Sequence, residues 1–117
     1  MFAAVYRWRV DPREEEAFQE GWERVSTAVK EHFGSLGSRL HRAADGTYMS
    51  YARWEDEAGR LAYQDHFRID PIGFRLMDRA VVEELESHEY TIVGNLLEDD
   101  RRLPHGLLQA AGPRWDR

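Results

Sequence analysis

The chain has 117 residues, 16 of them basic and 22 acidic, for a formal charge of −6, and it has no cysteine. That length fits one domain with a real core that buries roughly two-thirds of the unfolded surface. The acidic balance speaks against a nucleic-acid partner, which calls for a basic stripe, and the lack of thiols excludes disulfides, cysteine-ligated metals and thiol nucleophiles. No run approaches the roughly 18 apolar residues of a membrane helix. The stretch Met1–Arg7 lacks the basic start and long apolar run of a signal peptide, so the expectation is a cytoplasmic protein without membrane contact. Aromatics make up 12% with four Trp, and such rings belong in a core, a pocket or an interface.

Residues 2–10 alternate, with Phe2, Ala4, Tyr6, Trp8 and Val10 on one face of a strand and Ala3, Val5, Arg7 and Arg9 on the other. Asp11-Pro12-Arg13-Glu14 then starts a helix, with Asp11 as cap, Pro12 at the first position and Glu14 completing a reciprocal box. Phe18, Trp22, Val25, Val29 and Phe33 form one apolar stripe, and Gly34 ends the helix. Leu36 to Ala44 reads as a second strand. Asp45-Gly46 reads as a two-residue hairpin turn with both central φ positive. Thr47 to Trp54 reads as a third strand. Residues 55–67 form a second helix with Ala58, Leu61 and Ala62 inward. Pro71 breaks it, and the helix restarts with Phe74, Met77, Val81 and Leu85 in helical spacing. Tyr90 to Leu97 reads as a fourth strand, apolar on both faces.

The order is β-α-β-β-α-β, the ferredoxin-like pattern of an α+β protein with an antiparallel sheet. Helices cover one sheet face of such a unit. Strands apolar on both sides predict a cover for the other face, and the simplest is a second copy of the chain, in a homodimer burying well over roughly 1,000 Å². Residues 1–97 form the domain. Residues 98–117 open on the charge run Glu98–Arg102, continue with scattered leucines, and are expected to pack on the domain or on the partner subunit.

An internal repeat runs through this pattern. Tyr6-Arg7-Trp8-Arg9 and Tyr51-Ala52-Arg53-Trp54 each end a strand and lead into an acidic helix start. The five histidines show no His-x-His or i, i+4 pair, so no metal site is expected. Arg7, Arg9, Arg39 and Arg53 lie on strands. They either stabilise an anion in a pocket or pair across strands with the many carboxylates. No nucleophile elbow, phosphate loop or dinucleotide fingerprint is present.

The ordered set Val5–Val10, Asp11-Pro-x-Glu-Glu-Glu-x-Phe-x-x-x-Trp22, Gly34–Arg42, Asp45-Gly46-Thr47 and Ala52-Arg53-Trp54 resembles the antibiotic biosynthesis monooxygenase domain of the dimeric α+β barrel superfamily, over about residues 2–97. The resemblance implies a pocket between sheet and helices and two sheets closing across a dimer. It implies, in some members, oxidation of polycyclic phenols by molecular oxygen with no metal or flavin, so no cofactor is expected. Trp54 matches the pocket Trp of the phenol-oxidising members. Their strand-three Asn has no match among Tyr48, Met49, Ser50 and Tyr51, where Ser50 or Tyr51 can donate a hydrogen bond instead. The haem-degrading members use an Asn on the first strand, a Trp inside the second helix and a later His. Here those places hold Tyr6 and Trp8, then Tyr63, and no His in Phe74–Arg79, which speaks against haem degradation.

Tyr63, His66 and Phe67 share one helical turn beside the Pro71 break, which borders the pocket in this architecture. The expected site therefore has His66 as general base near neutral pKa and Trp54 as its catalytic partner. Tyr6, Tyr51, Tyr63 and Phe67 bind the substrate. The expected activity is cofactor-independent oxygenation of a small aromatic or polyketide-like molecule. The alternative is a non-catalytic dimeric protein that binds a small molecule in the same pocket.

Overall fold

A computed structural model describes residues 1–64 and 69–97. His66, Phe67 and the extension 98–117 therefore lie outside the described residues, and of Gln64 only the backbone is described. The elements in chain order are β1 (Phe2–Val10), α1 (Glu15–Phe33), β2 (Gly37–Arg42), β3 (Thr47–Trp54), α2 (Glu57–Gln64), α3 (Pro71–Ala80), β4 (Val81–Glu84) and β5 (His88–Thr91). The antiparallel sheet runs β2-β3-β1-β4, and β5 also pairs with β1. This is the ferredoxin-like α+β arrangement. Among the described residues no helix is long and apolar enough to cross a membrane.

Register sets the two faces. Directly opposed residues of an antiparallel pair share a face. Tyr6 faces Ser50, Ala4 faces Ala52, Phe2 faces Trp54 and Trp8 faces Tyr48. Those even-numbered residues look toward α1, α2 and α3. The core gathers there, around Phe2, Val10, Phe18, Val25, Val29, Tyr48, Trp54 and Met77. Trp8 meets Phe18 edge-on with ring centroids 5.2 Å apart, and Phe18 in turn packs on Tyr48 at 5.0 Å. The odd-numbered face carries Val5, Arg7, Arg9, Met49, Tyr51 and Arg53, joined by Arg39 and His41 of β2 and His88 and Tyr90 of β5.

α1 crosses α3 at a glycine notch. A Cβ on Gly21 would lie 2.5 Å from the Gly73 carbonyl oxygen, and one on Gly73 would lie 2.8 Å from Val25 Cγ2. Only hydrogen fits at these two positions, which is what lets the helices approach closely over the sheet.

Several expectations change in detail. Asp11 caps a short 3-10 turn, Pro12–Glu14, by accepting from the Arg13 backbone N–H at 2.9 Å. The reciprocal box does not close, because the Asp11 N–H already donates to the Ala80 carbonyl at 2.9 Å. Glu14 instead pairs with Arg79 of α3 at 3.0 Å. The hairpin has a three-residue loop. The Gly46 N–H bonds the Ala43 carbonyl at 3.0 Å, the Ala43 N–H bonds the Thr47 carbonyl at 2.8 Å, and only Gly46 takes a positive φ, 87°. Asp45 keeps a negative φ and accepts from the Thr47 N–H and hydroxyl.

The largest difference is at the fourth strand. α3 stops at Ala80, and Val81 and Val82 begin β4. The four-residue offset of Val81 from Met77 mimics a helix, but a β-branched pair fits a pleated surface better. The edge runs from Val81 to Ile92 with slips of register. Trp8 faces Glu84, whereas Val5 faces His88, so three steps on β1 meet four on the edge. Pairing ends where the Ile92 N–H bonds the Met1 carbonyl at 2.8 Å. Val93 and Leu96, expected inside the strand, lie past it at 97% and 102% exposure.

Candidate active site

A cavity of about 270 Å³ lies between the even face of the sheet and the helices. β1 contributes Tyr6 and Trp8, β2 Ser38, and β3 Ser50, Ala52 and Trp54. α1 contributes Trp22, Val25, Ser26 and Val29, and α2 contributes Arg60 and Tyr63. Phe74, Met77 and Asp78 of α3 and Val81 and Glu84 of β4 complete the wall. The wall is apolar and aromatic with a few polar groups, as small-molecule sites usually are.

Two aromatic pairs flank the space. Tyr6 and Trp8 stack with centroids 6.2 Å apart and planes at 23°. Trp54 and Tyr63 stack at 6.1 Å and 21°. Both Arg-Trp strand ends of the repeat thus reach this cavity, but from opposite ends of the sheet, because β1 and β3 are antiparallel neighbours. Trp54 is 2% exposed, and its indole N–H has no hydrogen-bond acceptor among the described residues. A buried donor left unmet costs about 1–3 kcal/mol. The Trp22 indole, by contrast, donates to the Ser50 hydroxyl oxygen at 2.9 Å. The Ser50 proton remains able to donate toward the cavity.

Tyr6 carries the clearest electrostatic signature. Burial pushes its phenol above the ordinary value, the Arg60 guanidinium pulls the other way, and Glu89 adds a smaller upward push. Tyr6 is therefore a neutral hydrogen-bonding phenol at physiological pH, not a phenolate base.

Of the expected site residues, the fold brings Trp54, Tyr6 and Tyr63 together around the cavity. Tyr51 does not join them: it faces Val5 and Arg39 on the opposite side of the sheet. His66 and Phe67 fall outside the described residues. The strand arginines Arg7, Arg9, Arg39 and Arg53 all share the face away from the cavity, and Arg9 pairs with Glu83 at 3.2 Å, the cross-strand reading. The cation of the wall is Arg60 instead. It comes from α2, whose inward side is Gly59, Arg60 and Tyr63, while Ala58, Leu61 and Ala62 are exposed. Gly59 turns inward because Trp54 fills the place of a side chain there, 3.3 Å from where a Cβ would sit. The i, i+3 spacing of Arg60 and Tyr63 was the available signal. Among the described residues no cluster of three or more His, Asp or Glu is placed to hold a metal ion.

The family model for antibiotic biosynthesis monooxygenase matches residues 1–69, more than half of the chain. The chain belongs to that family. No curated protein matches it. Among solved structures it is similar to a mutant of SnoaB, a cofactor-independent oxygenase from Streptomyces nogalater, with 19% identity, a TM-score of 0.67, and coverage of 83% of this chain and 97% of that one. It is similar to NE2512, a protein of unknown function from Nitrosomonas europaea, with 17% identity and a TM-score of 0.63, covering 84% of this chain and 94% of that one. A third is Rv0793 from Mycobacterium tuberculosis, with 14% identity and a TM-score of 0.61, covering 82% of this chain and 98% of that one. At these identities the likeness is one of fold. In this monooxygenase-family chain, the matched region supplies β1, α1, β2, β3 and α2, hence most of the cavity wall.

Proposed function

We propose that the chain is a cofactor-independent monooxygenase of the antibiotic biosynthesis type, acting on a small aromatic or polyketide-like substrate held between sheet and helices. The observation that carries this reading is the open cavity flanked by the Tyr6–Trp8 and Trp54–Tyr63 pairs. Flat rings fit such walls by offset stacking. Family membership and the fold shared with a cofactor-independent oxygenase support the reaction type.

In this mechanism a base removes a proton from an activated ring carbon, and His66 is the assigned base. The carbanion passes an electron to molecular oxygen, and the two radicals recombine as a hydroperoxide. Taking up a proton and losing water leaves a carbonyl, so that CH₂ plus O₂ gives C=O plus H₂O. The Trp54 N–H, the Ser50 hydroxyl and the Tyr6 phenol are the neutral donors that steady the substrate oxygen as charge builds on it. We further propose that the other sheet face docks a second copy of the chain. Val5, Met49 and Tyr51 form a half-buried apolar strip there, with no described helix over them.

Oxygen uptake in metal-free buffer with hydroquinones and anthrone-like phenols tests the reading. Uptake that falls on the order of 10²-fold or more in His66→Ala supports it. No uptake with any of them, combined with saturable binding of the same compounds, favours the non-catalytic binding protein. The absence of an Asn among Tyr48, Met49, Ser50 and Tyr51, where the resemblance to phenol-oxidising members calls for one, points in that second direction.

A further inference from the structure

Two side-chain hydrogen bonds tie α1 to β3, and their protons end differently. At one, Gln19 Nε2 donates to the Tyr48 hydroxyl at 2.8 Å, and that hydroxyl passes its own proton to Glu15 Oε1 at 2.8 Å. This chain closes on a carboxylate that also accepts from Arg42. At the other, Trp22 Nε1 donates to Ser50 Oγ at 2.9 Å. Among the described residues no acceptor takes the Ser50 proton. The second chain is open, and it ends at the cavity, which both Trp22 and Ser50 line.

The direction of this chain is fixed by chemistry. An indole nitrogen can only donate, whereas a hydroxyl can do both. Ser50 Oγ must therefore accept from Trp22, and its O–H is left to point elsewhere. Ser50 is 4% exposed, and a buried donor without an acceptor is costly. A molecule in the cavity can supply that acceptor. Hydrogen bonds in series also polarise one another, so the bond from Trp22 strengthens the one that Ser50 makes in turn.

We infer that Trp22 is a positioning residue. It holds the Ser50 hydroxyl as a donor into the cavity, and the cavity thereby selects a ring that carries an acceptor oxygen, such as an aromatic ketone, over the same ring without one. An analogue lacking the oxygen leaves the buried donor unpaired, which is how such sites discriminate. Without the indole N–H, the Ser50 hydroxyl is free to rotate and the selection weakens. This rests on the reading of the cavity as a site for small aromatic molecules, and it adds the polar group that site requires. It does not depend on turnover.

The test is binding of 1-tetralone and tetralin, fused-ring molecules that differ by one ketone oxygen, measured by equilibrium dialysis. The quantity read is the ratio of their affinities in wild type, Trp22→Phe, Ser50→Ala and the double variant. Phe keeps an aromatic ring at the wall and removes the N–H. The preference for the ketone is expected to fall roughly three- to tenfold in each single variant. The double variant should fall no further than Ser50→Ala alone, because Trp22 works through the hydroxyl. The infrared carbonyl band of bound 1-tetralone should lie lower in wild type than in either single variant, a shift that loosened packing alone does not produce. A preference that holds in Trp22→Phe overturns the inference, even where the melting temperature drops. So does a double variant whose loss is the product of the two single losses. Should Trp22→Phe fail to fold, Ser50→Ala decides: an unchanged preference or an unshifted carbonyl band overturns the inference. If neither probe binds, the small-aromatic reading of the cavity falls, and this inference with it.

Discussion

The two faces of one sheet, built from alternate residues of the same strands, have opposite characters. On the covered face, Tyr6, Trp8, Ser50 and Trp54 meet helices and line a cavity. On the other, Val5, Arg7, Tyr51 and Arg53 meet no helix among the described residues. A shift of one residue along β1 or β3 exchanges an enclosed aromatic wall for an arginine-studded surface, because side chains alternate with a period of two. Under the proposed function, chemistry that needs water excluded uses the first face, and docking of a second copy of the chain uses the second.

Removing the covered face's anchor should have the largest effect. Phe18 is 0% exposed and wedged against Trp8 and Tyr48. Phe18→Ala is expected to destabilise by about 3–5 kcal/mol, seen as a collapse of the urea midpoint. A smaller loss follows from Gly21→Ala, whose methyl must push against the Gly73 carbonyl. Overpacking of this kind costs about 1–3 kcal/mol. An unchanged melting temperature would mean that α1 and α3 do not hold the cavity roof as closely as described.

The uncovered face is probed separately. Tyr51→Asp places a charge in its apolar strip, and in a dimeric protein it should shift sedimentation toward the monomer while sparing the fold. If wild type sediments as a monomer, this face has another use.

The mildest effect is in acid. Glu15 accepts from Arg42 at 2.7 Å and from the Tyr48 hydroxyl at 2.8 Å, and these hold its carboxyl below the ordinary value. Its folded pKa is depressed, so the stabilisation is present above about 4.5, the unfolded value, and is lost as pH falls through the folded value. Glu15→Gln should flatten that acid limb in thermal melts taken across pH 2–6.

Much of the architecture was legible in the pattern. The alternation of β1, the Phe18–Val29 stripe of α1 and the β3 span emerge as read, because each sets a periodic apolar face against the core. Three features were hidden for physical reasons. Val81 and Leu85 continue a helical spacing by coincidence, and only pairing with β1 makes Val81 the start of an edge strand. α2 turns inward a glycine and an arginine, which hydropathy ranks as surface residues, because Trp54 needs the space above Gly59 and the long Arg60 stem can reach past it. Tyr51 was recoverable: a period of two puts it on the opposite face from Trp54, and Ser50 on the same one.

The oxygenase site proposed above lies on the covered face. It is tested by oxygen consumption with an anthrone-like phenol in metal-free buffer, comparing wild type with Trp54→Phe, which keeps an aromatic side chain, though a smaller one, and removes the buried indole N–H. Wild-type uptake is expected to match substrate lost one to one, with a fall of about 10²-fold in the variant. Uptake that is unchanged by Trp54→Phe, or no uptake above the buffer rate, rules out an oxygenase site built around Trp54.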